Sequence, residues 1–371
     1  MTKYHINKLV LSIIVFLLSA TSFADKDLNI FIGSNYIASP TIARLEASCK
    51  CHLVQNYFND NGEMLAKMAA GANGYNVIVA TSYAVTELAK MGKIEPLDLK
   101  LLSNLAYVDK AFLNQVYDVG NKYSVPYAYT PVFLAYNADK MKSLGILPNT
   151  WSVVFDPKYL EKLKGHVTMF NSSRNVFAAA LLYLGKDPNS TNTEDLKLAR
   201  AVIDKASPYW AKFDSDSYYR GLLRGDIWIA MSYSIDIYKA IADAKASHSP
   251  IKIEAVLQKE GDMYELDNMV IPTTTPDRDL SYAFINNALL TKSEYELSNL
   301  TGSSVPNKDA LKMLSPDITN NQWIYPPGMK KMYVFNEYSP KIRNLINEMW
   351  TEIQMRCHEI CNTYKKTKNR M

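Results

Sequence analysis

Between Leu28 and Met91 the chain alternates apolar strands with amphipathic helices, and this alternation limits the folds open to it. Leu28-Asn-Ile-Phe-Ile32 reads as a strand closed by Gly33-Ser34. Pro40 to Ala47 reads as a helix, with Ser39 as N-cap and Pro40 at the first helical position. His52 to Phe58 is a second strand, and Asn61 to Ala69 a helix ended by Gly71, Asn73 and Gly74. Tyr75 to Ala80 is a third, buried strand that leads through Thr81-Ser82-Tyr83 into a helix over Val85 to Met91. Strands separated by helices pair in parallel, with the helices on the sheet faces, which is the α/β class. Ligands in such sheets bind beyond the carboxyl ends of the strands. Ser34 to Tyr36 and Thr81 to Tyr83 are therefore candidate site loops.

A second stretch, Gly261 to Pro272, opens on a Gly-Asp turn, alternates apolar residues and stops at a proline, the pattern of a short strand. Side chains two apart in a strand share a face. Glu265 and Asp267 therefore point the same way and Leu266 the other. Two carboxylates on one face of an apolar strand are costly unless they meet water, a donor or a cation.

Met1 to Ala24 has a basic start (Lys3, Lys8), an apolar run over Leu9 to Leu18, and small residues at Ser22 to Ala24, the pattern of a cleaved secretory signal peptide. Export to the periplasm is expected. The remaining chain of about 347 residues (371 less 24) is long enough for two domains. The whole chain has 41 basic and 37 acidic residues, and the leader takes two lysines, leaving a charge near +2. That balance carries no footprint for nucleic acid. The 25 tyrosines suit a polar cleft, because each joins an apolar ring to a hydroxyl. No nucleophile elbow, P-loop or His-Glu-x-x-His motif is present, and His166 and His248 stand alone, so no catalysis and no cofactor are expected. Cys49 and Cys51, beside His52, and Cys357 and Cys361 point to disulfides in an exported chain. A Cys49–Cys51 bond is expected to be strained, and a bond between Cys357 and Cys361 awkward on a helix. Cross-pairing of the two segments is chemically natural, and metal binding ranks below disulfides.

The ordered set of local motifs carries a resemblance. Tyr36 is followed by Asn76-Val-Ile-Val-Ala-Thr-Ser-Tyr83 and Tyr123-Ser-Val-Pro-Tyr127. Trp151 with Pro157-Lys-Tyr159, and Asn171-Ser-Ser-Arg-Asn-Val-Phe177, come next. Glu260-Gly261 with Asp267-Asn-Met-Val-Ile-Pro272, and Thr301-Gly-Ser-Ser-Val-Pro-Asn307, complete the set. This order resembles the polyamine-binding (spermidine/putrescine) family of periplasmic solute-binding proteins of ABC transporters. The resemblance implies a two-lobed periplasmic-binding-protein fold, with parallel-sheet lobes, hinge crossovers and a ligand enclosed between them. Lobe one would hold 25–131 and 267–311, and lobe two 132–266 and 312–371. Tyr129-Thr-Pro131 and the Glu265–Asp267 strand would be the crossovers, with a new apolar run beginning at Val132.

Carried over residue by residue, the resemblance implies a ligand site at Tyr36, Thr81, Tyr83, Tyr233 and Asp267, with Asp267 matching the carboxylate that grips an amine. Several positions depart from the family. A tryptophan near Ser34 is absent, a second is replaced by Glu265 and a third by Tyr233. Ser172 and Asn175 stand where the family carries an acidic pair, and Glu296 falls where some members use an amide. Arg174 either opposes a ligand carboxylate or is structural, since a family arginine aligns there. Acid at one end only favours a short diamine or mono-cationic ligand over a long triamine. The expected partners are this polyamine-like ligand and an ABC permease, with the protein acting as a monomer. The rival readings are a secreted metal- or thiol-dependent protein using the Cys/His clusters, and a polyamine sensor that does not transport.

Overall fold

The computed structural model describes residues 26–33, 36–58, 61–329 and 331–368, with side-chain surroundings up to 356. The expected leader, Met1 to Ala24, lies outside the described residues. One mixed sheet forms the frame. Its strands are β1 (Lys26–Ile32), β2 (Cys51–Tyr57), β3 (Val77–Thr81), β4 (Val125–Asn137) and β5 (Val167–Met169). They continue as β6 (Lys212–Phe213), β7 (Ile229–Tyr233), β8 (Ile253–Val256), β9 (Asp262–Val270) and β10 (Met332–Val334). The order across the sheet is β2-β1-β3-β9-β4-β7-β5-β6, with β10 paired to β9 and β8 to β4.

The outer strands obey the strand–helix rule. β1 pairs in parallel with β2 and β3, and β5 with β6 and β7. The middle differs from the all-parallel expectation: β9 runs antiparallel to β3 and β4, and β4 antiparallel to β7 and β8. The reason is topological. β4 and β9 each cross from one set of parallel strands to the other, so they are not joined to their neighbours by crossover helices. The first half of β4 pairs with β9, with Tyr129 also bridged to Ser304, while its second half carries β7 and β8. The end of β9 carries β3 through Asp267 to Val270, and its start carries β10.

β4 joins the expected crossover at Tyr129–Pro131 and the apolar run from Val132 into one strand that runs unbroken through Pro126 and Pro131. A proline lacks the N–H of a ladder bond. The register shifts between Pro126 and Ala128, which absorbs the first proline in an irregular pairing, and Pro131 sits opposite Tyr264. Every β4 residue but one is buried, so packing on both faces outweighs the lost donors.

The main core runs through both sets of strands, from Leu28 and Ile30 to Trp151, Phe177 and Ile229. A smaller cluster of Phe31, Met64, Met68, Ile78, Val85 and Leu88 packs the other face of β1 and β3. Phe31 stacks on Tyr75 there, with ring centroids 4.5 Å apart.

Cys49 and Cys51 are bonded to each other, one of the pairings that the sequence left open. Lys50 takes a left-handed conformation (φ 51°, ψ 49°) between the Ser39–Cys49 helix and β2, and this tight reversal brings the two Cα atoms within 5.2 Å. That separation lies inside the usual disulfide range. Cys357 and Cys361 fall on the long Pro340–Lys368 helix, at positions whose side chains lie outside the described ones.

Candidate functional site

A cleft of about 580 Å³ opens where β9, the helix Ser82–Lys90, the helix Ser173–Tyr183 and the C-terminal segment converge. Seven of the nine residues singled out from sequence line it: Tyr36, Tyr83, Ser172, Asn175, Tyr233, Glu265 and Asp267. Thr81 is the partner of Asp267 across β3 and β9, but it is buried and does not line the cleft.

Glu296 is a correction. It lies on the Thr291–Thr301 helix, away from the cleft, and pairs with Arg44 at 2.9 Å while accepting a hydrogen bond from Thr41 at 2.6 Å. Partial burial works against ionisation, but Arg44 and Thr41 prevail and hold its pKa below the usual carboxylate value. Its charge is therefore committed to joining two helices of the frame.

The alternation of β9 sets the floor of the site. Tyr264 and Leu266 are buried on one face, while Glu265 and Asp267 on the other open toward the cleft. Each carboxylate is held by one tyrosine. The Tyr36 hydroxyl donates to Asp267 at 2.7 Å, and the Tyr233 hydroxyl donates to Glu265 at 2.9 Å. The rings are themselves fixed. Tyr36 meets Tyr127 edge to face at 5.4 Å, and the Tyr127 hydroxyl donates to the Tyr36 carbonyl. Tyr233 stacks on Phe170 at 4.4 Å. Burial and then the adjacent carboxylate push both phenols well above their ordinary pKa, so both remain donors.

The carboxylates are raised as well. Burial pushes Asp267 up to about 7, against the pull of the Tyr36 hydrogen bond, and the charge of Glu265 adds to the rise. Burial also raises Glu265, while hydrogen bonds from Tyr233 and Asn175 pull it down. Among the described residues no lysine or arginine pairs with either group. Two adjacent acids with donors but no cation form a site that gains from a bound cation.

Ser172 and Asn175 do more than leave the far wall neutral. Ser172 caps the Ser173–Tyr183 helix, its hydroxyl accepting from the Asn175 backbone, and it also accepts from the Asn175 amide at 3.1 Å. Asn175 then serves as a donor to Glu265. Arg174 is turned into the structure. Its guanidinium lies 3.7 Å from the Tyr338 ring centroid and 4.9 Å from that of Phe335, and it donates to Asn189 and to the Asn336 carbonyl. It anchors the C-terminal segment.

That segment was missed from sequence. Phe335, Asn336, Glu337, Tyr338, Arg343 and Ile346 all line the cleft. Their one signal was the aromatic pair Phe335 and Tyr338 flanking Asn336 and Glu337. Glu87 was missed too, although it stands one helical turn beyond Tyr83. Among the described residues no group of three or more His, Cys, Asp or Glu is arranged to hold a metal ion. With Cys49 and Cys51 bonded, the thiol-dependent rival loses two of its four cysteines.

The profile of the family described as "Bacterial extracellular solute-binding protein" matches residues 53–325. The chain is 39% identical over 340 residues to the "Putrescine/cadaverine-binding protein" of Pseudomonas aeruginosa, covering 91% of this chain and 96% of that one. It is 30% identical to the "Putrescine-binding periplasmic protein PotF" of Escherichia coli, covering 89% and 91%. Among solved structures, a spermidine/putrescine ABC transporter substrate-binding protein, PotD of Streptococcus pneumoniae, superposes with a TM-score of 0.80 at 22% identity, over 90% of this chain and all of that one. The fold is thus the two-lobed periplasmic-binding-protein fold, and β4 and β9 are its crossing strands. No helix among the described residues is long and apolar enough to cross a membrane. The chain belongs to the bacterial extracellular solute-binding proteins, the family of the periplasmic putrescine- and spermidine-binding proteins.

Proposed function

We propose that the chain captures a small polyamine of the putrescine type and hands it to an ABC importer, acting by binding and closure with no covalent chemistry. The observation that carries this reading is the Glu265–Asp267 pair, set on the cleft floor with tyrosine donors and, among the described residues, no paired lysine or arginine. Tyr36, Tyr83 and Tyr233 supply ring faces for the methylene stem, and cation–π contact adds modestly to the ion pairs. The relatives named above fit the same ligand class.

The working arrangement we propose is a monomer exported by the Met1–Ala24 leader into the periplasm. Lobe one takes 25–131 and 267–311, and lobe two takes 132–266 and 312–371. Closure hinges near Tyr129–Pro131 and Glu265–Asp267, where the two long strands pass between lobes. Calorimetry with putrescine, cadaverine, spermidine and γ-aminobutyrate tests the reading. Saturable one-to-one binding of a diamine, with a smaller radius by small-angle scattering, is expected. Heat only with γ-aminobutyrate, or with none of the four, would reject it.

A further inference from the structure

The far end of the cleft carries a cation that neither the family resemblance nor the floor chemistry predicts. The chain of contacts begins at the floor. Thr81 pairs with Asp267 at the end of β3, and the Ser82–Lys90 helix starts there and leads away. At about 1.5 Å rise per residue, Glu87 stands roughly 8 Å along the helix from that rung. Tyr83 and Glu87 are four residues apart, so they share a helix face, and both line the cleft.

At Glu87 the helix meets the C-terminal segment. Arg343 donates to Glu87 at 2.6 Å and pairs with Glu337 at 3.1 Å, and Lys90 pairs with the same Glu337. Arg343 also reaches the Tyr338 carbonyl at 3.4 Å. Tyr338 in turn is packed under the Arg174 guanidinium, and the Ser82 hydroxyl donates to the Phe335 carbonyl at 2.8 Å. Arg343 is thus held in place at the cleft wall, beside Ile346 and Asn347, instead of sweeping through solvent. Two carboxylates and two cations cancel at this end, whereas the floor has two carboxylates and no cation.

We propose that Arg343 is a selectivity residue: it neutralises the two acids at the distal end of the cleft, so that a ligand carrying a further ammonium finds no free carboxylate there. This rests on the polyamine reading above. A diamine is satisfied by the floor and the neutral Ser172 and Asn175. A triamine lying along the helix brings its extra ammonium to acids whose charge is already taken by Arg343, and gains nothing there. Removing Arg343 leaves that end net negative, because Glu87 loses the cation it is paired with.

The test compares putrescine and spermidine dissociation constants, at one ionic strength, for wild type, Arg343→Gln and Arg343→Lys. Thermal melts and circular dichroism check that all three fold. The expected result is a shift of the affinity ratio toward spermidine of roughly tenfold in Arg343→Gln, the size one charge carries at a partly desolvated contact. Arg343→Lys keeps the charge and should keep the wild-type ratio. An unchanged ratio in Arg343→Gln overturns the proposal. So does an equal shift in Arg343→Lys, which would assign the effect to packing. Normal putrescine binding alongside either failure leaves the proposed function standing, whereas wild type binding neither amine removes that reading and this inference together.

Discussion

Glu265 and Asp267 on the cleft floor and Glu87 and Glu337 at its rim are the same chemistry in two settings. The rim pair has its own cations: Arg343 bridges both acids, and Lys90, itself 60% exposed, adds to Glu337. Burial first, and Glu87 second, raise Glu337, while the contact with Glu337, aided by Arg343, lowers Glu87. The floor pair opens on the cleft, and among the described residues its hydrogen-bond partners are neutral donors. The lesson is that a count of acids along a cleft does not locate a cation site. An acid already paired is spent, and an acid kept from water with only neutral donors is the one that gains most from a ligand ammonium.

The sharpest way to break this contrast is Asp267→Asn. The amide keeps the shape and can still accept from Tyr36, but it removes the charge. Truncating one partner of a buried charge pair costs on the order of 2–5 kcal/mol in binding. Putrescine affinity by calorimetry should fall accordingly, with the melting temperature of the ligand-free protein held or raised. An affinity equal to wild type in a folded variant would remove Asp267 from the site.

The second test uses protons instead of mutations. Asp267 has a folded pKa near 7 against an ordinary value of 3.8. Below pH 4 both folded and unfolded chains carry the proton. As pH rises the unfolded chain releases it first, so the folded form binds more protons and stability declines until the pH passes about 7. The shift corresponds to a loss on the order of 4 kcal/mol across that window. Ligand-free wild type should therefore show a steeper loss of unfolding free energy from pH 4 to 7.5 than Asp267→Asn. Saturating putrescine should flatten the wild-type slope, because the ammonium favours the ionised acid. Parallel slopes in wild type and variant would show that Asp267 is not buried from water as the floor geometry requires.

Much of this site was legible in the sequence because it rests on local rules. Alternation placed Glu265 and Asp267 on one face, and strand ends marked Tyr36 and the loop beside Tyr83. The antiparallel middle of the sheet was not legible, since pairing partners of β4 and β9 lie far apart in sequence. A strand through Pro126 and Pro131 was not legible either, since each proline lacks a ladder donor and burial on both faces of β4 carries the strand through them. The C-terminal wall escaped for a similar reason. Phe335 to Tyr338 has no periodic pattern, and long-range contacts with Arg174, Ser82 and Lys90 bring it to the cleft. Arg174 itself shows how a motif residue can be noticed and still need the structure to fix its role.

The smallest expected effect on binding is at Glu296, which lies outside the cleft on a helix of the frame. Its carboxylate ties Arg44 and Thr41 of one helix to another helix of the frame, with Arg44 also donating to Ser293 at 2.7 Å. Glu296→Gln keeps an acceptor but loses the charge opposite Arg44. The pair is only partly buried, so solvent screens it, and the expected cost is about 1 kcal/mol of folding stability. Putrescine affinity should stay within about twofold of wild type, because Glu296 does not line the cleft and its charge is already paired with Arg44. Denaturant melts and calorimetry on the same variant separate the two roles. A tenfold fall in affinity with unchanged stability would return Glu296 to the ligand site and make the floor pair an incomplete account of where the cation is held.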